Sequence, residues 1–161
     1  MASVRDLKEL VLFKGLPDDF LERIVPMVQE KSLGEREIIY EPGAEASEFY
    51  SLSKGKVLLE AELAPNFIIS VGAIKPGYSF GWSALFPPKA THTSYAVCSE
   101  PSDVFVFPAQ ELTAFLGRER ENGYLVMKKA GKILENRLER RTAQFLKVIG
   151  KHPEIGTLLG V

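Results

Sequence analysis

The sequence holds one cysteine, Cys98, and two histidines, His92 and His152, in different parts of the chain. A lone thiol excludes an intramolecular disulfide and cannot supply the several thiolates of an iron–sulfur cluster. Two separated histidines do not furnish the clustered imidazoles that metal-dependent β-barrel enzymes need. Charge of one sign is missing too: 20 Lys and Arg stand against 21 Asp and Glu, for a net charge of −1. A general attraction to nucleic acid or anionic lipid is therefore not expected. The longest uncharged stretches, residues 63–74 and 76–88, are too short and too broken by Pro and Gly to span a bilayer. Met1 to Asp6 carry charge and lead into no apolar run of the signal-peptide kind. A cytoplasmic, reducing location is the expectation, with no membrane association. No P-loop, zinc-ligand spacing or Ser/His/Asp grouping occurs, so an enzyme is not expected.

What is present is an ordinary globular chain of 161 residues, 45% hydrophobic, suited to one domain with a sizeable core. Its periodicity predicts three zones and a tail: helices over 1–32, a β-roll over 33–107, helices over 108–150 and a tail over 151–161. Leu7, Leu10 and Val11 are spaced for one helical face, as are Leu21, Ile24, Val25 and Val28. Asp18 is placed to cap the second helix, and Pro26 predicts a kink or an early stop. Turn signals recur every eleven or twelve residues, at Pro42-Gly43, Lys54-Gly55, Pro65-Asn66 and Pro76-Gly77, as short strands of a sandwich or roll require. Val57, Leu59, Ala61 and Leu63 predict one face of a strand, with Leu58, Glu60 and Glu62 on the other. Phe67, Ile69, Val71 and Ala73 repeat the alternation, so 63–74 reads as a hairpin turning at Pro65-Asn66. Val104 to Phe107 reads as a final strand, and Cys98 as a buried strand residue. A short helix is predicted over Glu111–Leu116, ending at Gly117. A long one is predicted over Tyr124–Ile149, with Met127, Ala130, Leu134, Leu138, Phe145 and Ile149 near one stripe, and Gly150 and Pro153 end it.

The order of helical preface, β-roll and long C-terminal helix resembles the cyclic-nucleotide-binding domains of the catabolite activator protein and of protein kinase A regulatory subunits. Leu12-Phe13-Lys14-Gly15-Leu16 is similar to the family's opening segment, and Ile39-Tyr40-Glu41-Pro42-Gly43 to its first turn. Phe49 to Val57 resembles its Tyr…Gly-x-Val hairpin. Ile74-Lys75-Pro76-Gly77-Tyr78-Ser79-Phe80-Gly81 resembles the entry to its phosphate-binding cassette. The resemblance covers roughly Leu7 to Ile149. It implies a mainly β fold with flanking helices, a double-stranded β-helix or jelly-roll-like roll, in which Gly81 presents backbone amides to an anion.

The same resemblance exposes departures. The family places Glu after that glycine, to receive a ribose hydroxyl, and Arg about nine residues on, to pair with the phosphate. Here those positions hold Trp82 and Thr91. A hydrogen bond to a charged group is worth about 1.5–3 kcal/mol, so its loss weakens a cyclic nucleotide roughly ten- to a hundredfold. The candidate ligand-binding residues are Phe80, Gly81, Trp82, Ser83, Ala84, Lys89, Thr91, His92 and Thr93. Trp82 either fills the pocket or offers a stacking platform. Lys89 and His92 are the cations available to replace the lost guanidinium, and His92 is otherwise a pH-sensitive or merely solvated group.

In catabolite-activator relatives the C-terminal helix pairs with its twin and completes the site, which points to Arg141 and Thr142. A homodimer through that helix is expected, because a helix this long needs somewhere to bury its stripe. Only Gly150 to Val161 follow it, too few for a helix-turn-helix, so DNA binding by this chain alone is not expected. No cofactor is expected. The function implied is a non-enzymatic regulatory module sensing a small ligand, a cyclic nucleotide or another small molecule, with a divergent cassette that argues against cyclic AMP. The alternative is a degenerate module with a filled pocket that acts on an unknown protein partner.

Overall fold

The computed structural model of the chain describes residues 2–86, 90–152 and 154, which form two compact units, Met1–Tyr124 and Leu125–Val161. The first unit opens with α1 (Val4–Glu9), where Ser3 and Asp6 form a reciprocal capping box. The second helix, α2 (Asp18–Ile24), begins one residue earlier than a capping role for Asp18 requires: Pro17 holds the cap position, and no side chain caps it. Asp18 sits in the first turn, where a carboxylate favours the helix dipole. The apolar pattern runs on to Val28, yet α2 stops at Ile24 and a 3-10 turn over Val25–Met27 follows. Pro26 explains this, since its ring and missing N–H end the helical ladder.

Among the described residues eight strands follow: β1 (Gln29–Leu33), β2 (Ile38–Tyr40), β3 (Glu48–Lys54), β4 (Val57–Ala64), β5 (Phe67–Ile74), β6 (Ser79–Phe80), β7 (Tyr95–Cys98) and β8 (Ser102–Pro108). One antiparallel sheet runs β1-β8-β3-β6 and the other β2-β7-β4-β5. The roll therefore begins at Gln29, earlier than Leu33. Residues Gln29 to Ser32 are polar and exposed, so they carry no hydrophobic alternation. Their strand exists because β8 offers a partner, from Gln29 opposite Val106 to Leu33 opposite Ser102.

The strand alternation divides the first unit into two cores. Tyr50 and Leu52 of β3 and Val104 and Val106 of β8 point between the sheets, where they meet Val57, Leu59, Ile74, Phe80, Ala96 and Cys98. Phe49 and Phe107 are register partners on the other face. Their rings stand 6.0 Å apart, and Phe13, from the loop after α1, lies 5.6 Å from Phe107. Each such side chain contributes about 1.5–3 kcal/mol by leaving water.

The β4–β5 hairpin turns at Pro65-Asn66 as expected, with Asn66 in the left-handed region. Its alternation fails halfway. Leu59 faces Gly72 and Glu60 faces Ser70, so Val71 is an extra, bulged residue. Glu60 is buried and held by Arg36 at 3.3 Å, while Leu63, unpaired at a second register shift between Glu62 and Ala64, and Phe67 lie exposed.

After the roll, α3 (Ala109–Arg118) runs through Gly117, and α4 (Arg120–Gly150) begins before Tyr124. Arg23 of α2 grips Glu119 with both guanidinium nitrogens and lies 5.5 Å over the Phe115 ring. In the second unit Leu138, Phe145, Leu146 and Val148 are exposed. Pro153 lies outside the described residues. No described helix is long and apolar enough to cross a membrane.

Candidate functional site

The cassette starts where β6 ends. Gly81 has φ +75° and opens a short 3-10 turn over Trp82–Leu85, with the Ala84 amide donating to its carbonyl. A Cβ on Gly81 would stand 2.9 Å from Tyr50 Cδ2 and 3.3 Å from the Glu48 carbonyl oxygen. Both handedness and close approach therefore demand glycine. Gly81→Ala is expected to lower stability by about 1–2 kcal/mol from the backbone alone, and by more through the push on Tyr50. Gly43→Ala is the control: φ is +83° there, but nothing lies within 4 Å. Urea unfolding of the two variants separates the terms.

Phe80 and Trp82 flank this glycine and face opposite ways. Phe80 is fully buried in the roll core, its ring stacked at 5.2 Å and 16° on Tyr50. Trp82 turns to the other face of β3 and meets Phe49 edge-on at 5.1 Å. Trp82 is thus buried against Phe49, on the side of β3 away from Phe80. Ser83 is half-buried and Ala84 buried in the same turn. Lys89 lies outside the described residues.

The returning arm of the cassette is pinned to the loop after β2. Thr91 and Glu45 form a bridge. The His92 amide donates to Ala44 O at 3.0 Å, the Gly43 amide donates to His92 O at 2.8 Å, and the Ala46 amide donates to Ala90 O at 2.9 Å. This extended pairing imposes alternation on the arm. Thr91 and Thr93 are exposed, and His92 between them is 5% exposed. The side chain this arm sends inward is therefore His92, one residue beyond the position expected to replace the family's arginine.

The imidazole of His92 lies flat on Tyr40, with centroids 3.6 Å apart and planes 8° from parallel. Tyr40 in turn stands 5.7 Å from Tyr50 and 6.1 Å from Phe80. Four rings thus form one aromatic wall on the inner side of the cassette. The Tyr50 hydroxyl donates to Glu48 at 2.8 Å, and Lys31 approaches the same carboxylate at 3.6 Å. Burial first, and then Glu48, hold the Tyr50 phenol well above its ordinary range.

Burial alone holds His92 below its ordinary pKa of 6.5. The unfolded chain then binds a proton that the folded chain refuses. Above pH 6.5 the ring is neutral in both states and carries no penalty. As pH falls from 6.5 toward the lowered folded value the penalty grows, and below that value it is complete. Melting curves between about pH 7.5 and 5 should therefore show a loss of stability that His92→Phe reduces.

Among the described residues no group of three or more His, Cys, Asp or Glu is placed to hold a metal ion. Arg141 and Thr142 are exposed residues of the second unit. The residues that sequence reasoning missed are Tyr40 and Tyr50. Their signal was the alternation of β2 and β3, which places both on the side of Phe80.

Comparison with known proteins agrees with the β-roll fold. The family profile described as the cyclic nucleotide-binding domain matches residues 30–119. A cyclic nucleotide-binding domain from Methylobacillus flagellatus superposes with a TM-score of 0.79 at 15% identity, over 89% of this chain and 83% of that one. A candidate cyclic nucleotide-binding protein from Geobacter metallireducens gives 0.74 at 25% identity, over 86% of this chain and 99% of that one. The catabolite activator protein of Thermus thermophilus gives 0.71 at 20% identity, over 86% and 62%. No curated protein matches the sequence.

Proposed function

The chain belongs to the cyclic nucleotide-binding domain family, and on that premise we propose that it is a regulatory module, without catalytic activity, that senses a small ligand other than cyclic AMP. The observation that carries this reading is the inward side chain of the cassette arm. It is the buried, neutral His92, with a pair of exposed threonines beside it. A neutral imidazole cannot supply the bidentate, permanently charged grip that guanidinium offers a phosphate. With Trp82 turned toward Phe49, the position that holds Glu in the family also contributes no polar group to the interior.

A second reading has its own support. The contacts among Tyr40, Tyr50, Phe80 and His92 suit a roll filled by its own side chains, in which case the module acts through protein contacts. A homodimer through α4 belongs to either reading. It is supported by the exposed Leu138, Phe145, Leu146 and Val148, which gain by covering each other.

Thermal melting with cyclic AMP, cyclic GMP and a metabolite panel separates the two, since any ligand preferring the folded state raises Tm. A metabolite that stabilises the chain while cyclic AMP does not is the expected result. Silence toward every compound favours the filled roll.

A further inference from the structure

We propose that the site takes a planar aromatic or heteroaromatic ring without net negative charge, and that this ring stacks on Tyr40 in the place His92 now occupies. The proposal rests on the ligand-sensing reading above and names the ligand class.

Three observations carry it. First, the His92 ring touches Tyr40 face to face at 3.6 Å, the geometry of a bound heteroaromatic base on a stacking platform. Second, the ring is held by little else. Its side chain makes no hydrogen bond among the described residues, and the bonds that pin the arm belong to the backbone of residues 43, 44, 46, 90 and 92. A change of side-chain rotamer can free the Tyr40 face with that pairing intact. The face left behind is backed by Tyr50 and Phe80, so it stays a rigid aromatic surface. Third, the loop after β2 that pairs with the arm carries Glu41 and Glu45 and no lysine or arginine, while Glu48 of β3 is met by Lys31. Such a frame disfavours an anion and accepts a neutral or cationic ring.

Exchange at this site is coupled to protons. The titratable groups on the elements packed against His92 are Tyr40 and Glu41 on β2 and its turn, Glu45 opposite Thr91, and, through the aromatic wall, Glu48 with Lys31 beside it, Tyr50 and, at the far end of β3, Lys54. None of them shifts His92, whose proton affinity is lowered by burial alone. A ligand that expels the ring restores its ordinary affinity for a proton. Below pH 6.5 protonation then favours the expelled state, so binding tightens as pH falls.

The test is calorimetric titration of adenosine and of tryptamine, a neutral and a cationic planar probe, into the wild-type chain and His92→Ala at about pH 7.5 and 5.5. At least one probe is expected to bind His92→Ala about three- to tenfold tighter than wild type, because the competing stack is gone. Wild-type binding is expected to tighten at the lower pH with proton uptake, and binding to the variant to be independent of pH. The wild-type pH series stands even if the variant folds poorly. Equal affinities in both proteins at both pH values, or no binding of either probe to either protein, would overturn the proposal. The ligand-sensing reading survives that outcome if the metabolite panel reports a non-aromatic ligand, and falls if the panel is silent as well.

Discussion

Phe80→Ala is expected to lower the unfolding free energy by about 3–5 kcal/mol, the usual range for deleting a buried phenylalanine. Phe80 is fully buried, it stacks on Tyr50, and β6 is only two residues long. The site therefore has little local backbone with which to collapse around the lost ring. For a chain of this size that is a fall in Tm of roughly 6–20 °C. Urea unfolding followed by far-UV circular dichroism checks it. A loss under about 1 kcal/mol would mean that the aromatic wall does not hold the two sheets together.

The second large effect is functional. His92→Arg is expected to raise affinity for cyclic AMP about ten- to a hundredfold, the value of a hydrogen-bonded ion pair with a phosphate. Thr91→Arg, one residue away, is expected to leave the affinity unchanged. The contrast follows from the arm's pairing with residues 43–46, which turns His92 inward and Thr91 to solvent. An effect at Thr91 and none at His92 would reverse the assignment of the inward position.

That contrast also shows where the sequence was legible. The period-two runs and regularly spaced turns were enough for a roll with flanking helices, because each strand that buries one face repeats its apolar residues at that period. Legibility ended where geometry broke the period. The hairpin register shifts twice, at Val71 on β5 and at Leu63 on β4, in a stretch where Glu60 is buried and Leu63 exposed, and a single extra residue leaves no compositional trace. The polar strand Gln29–Leu33 carried no alternation at all and is specified by its partner. In the cassette, spacing counted from Gly81 reached Thr91, while side-chain direction depends on the register of the arm against the loop after β2, a long-range pairing. The same limit applied to Trp82. Its size invited a place in the pocket, yet the alternation at Phe80-Gly81-Trp82 sends it to the Phe49 side.

The ligand class and the absence of a phosphate grip both depend on one physical arrangement, a neutral imidazole lying on Tyr40 where a fixed cation would be needed to hold a cyclic phosphodiester. Isothermal titration of cyclic AMP into the unaltered chain at about pH 7.5 tests it most directly. The account predicts no saturable binding below roughly 100 µM. A dissociation constant in the low micromolar range or tighter, with the His92–Tyr40 stack in place, would contradict it.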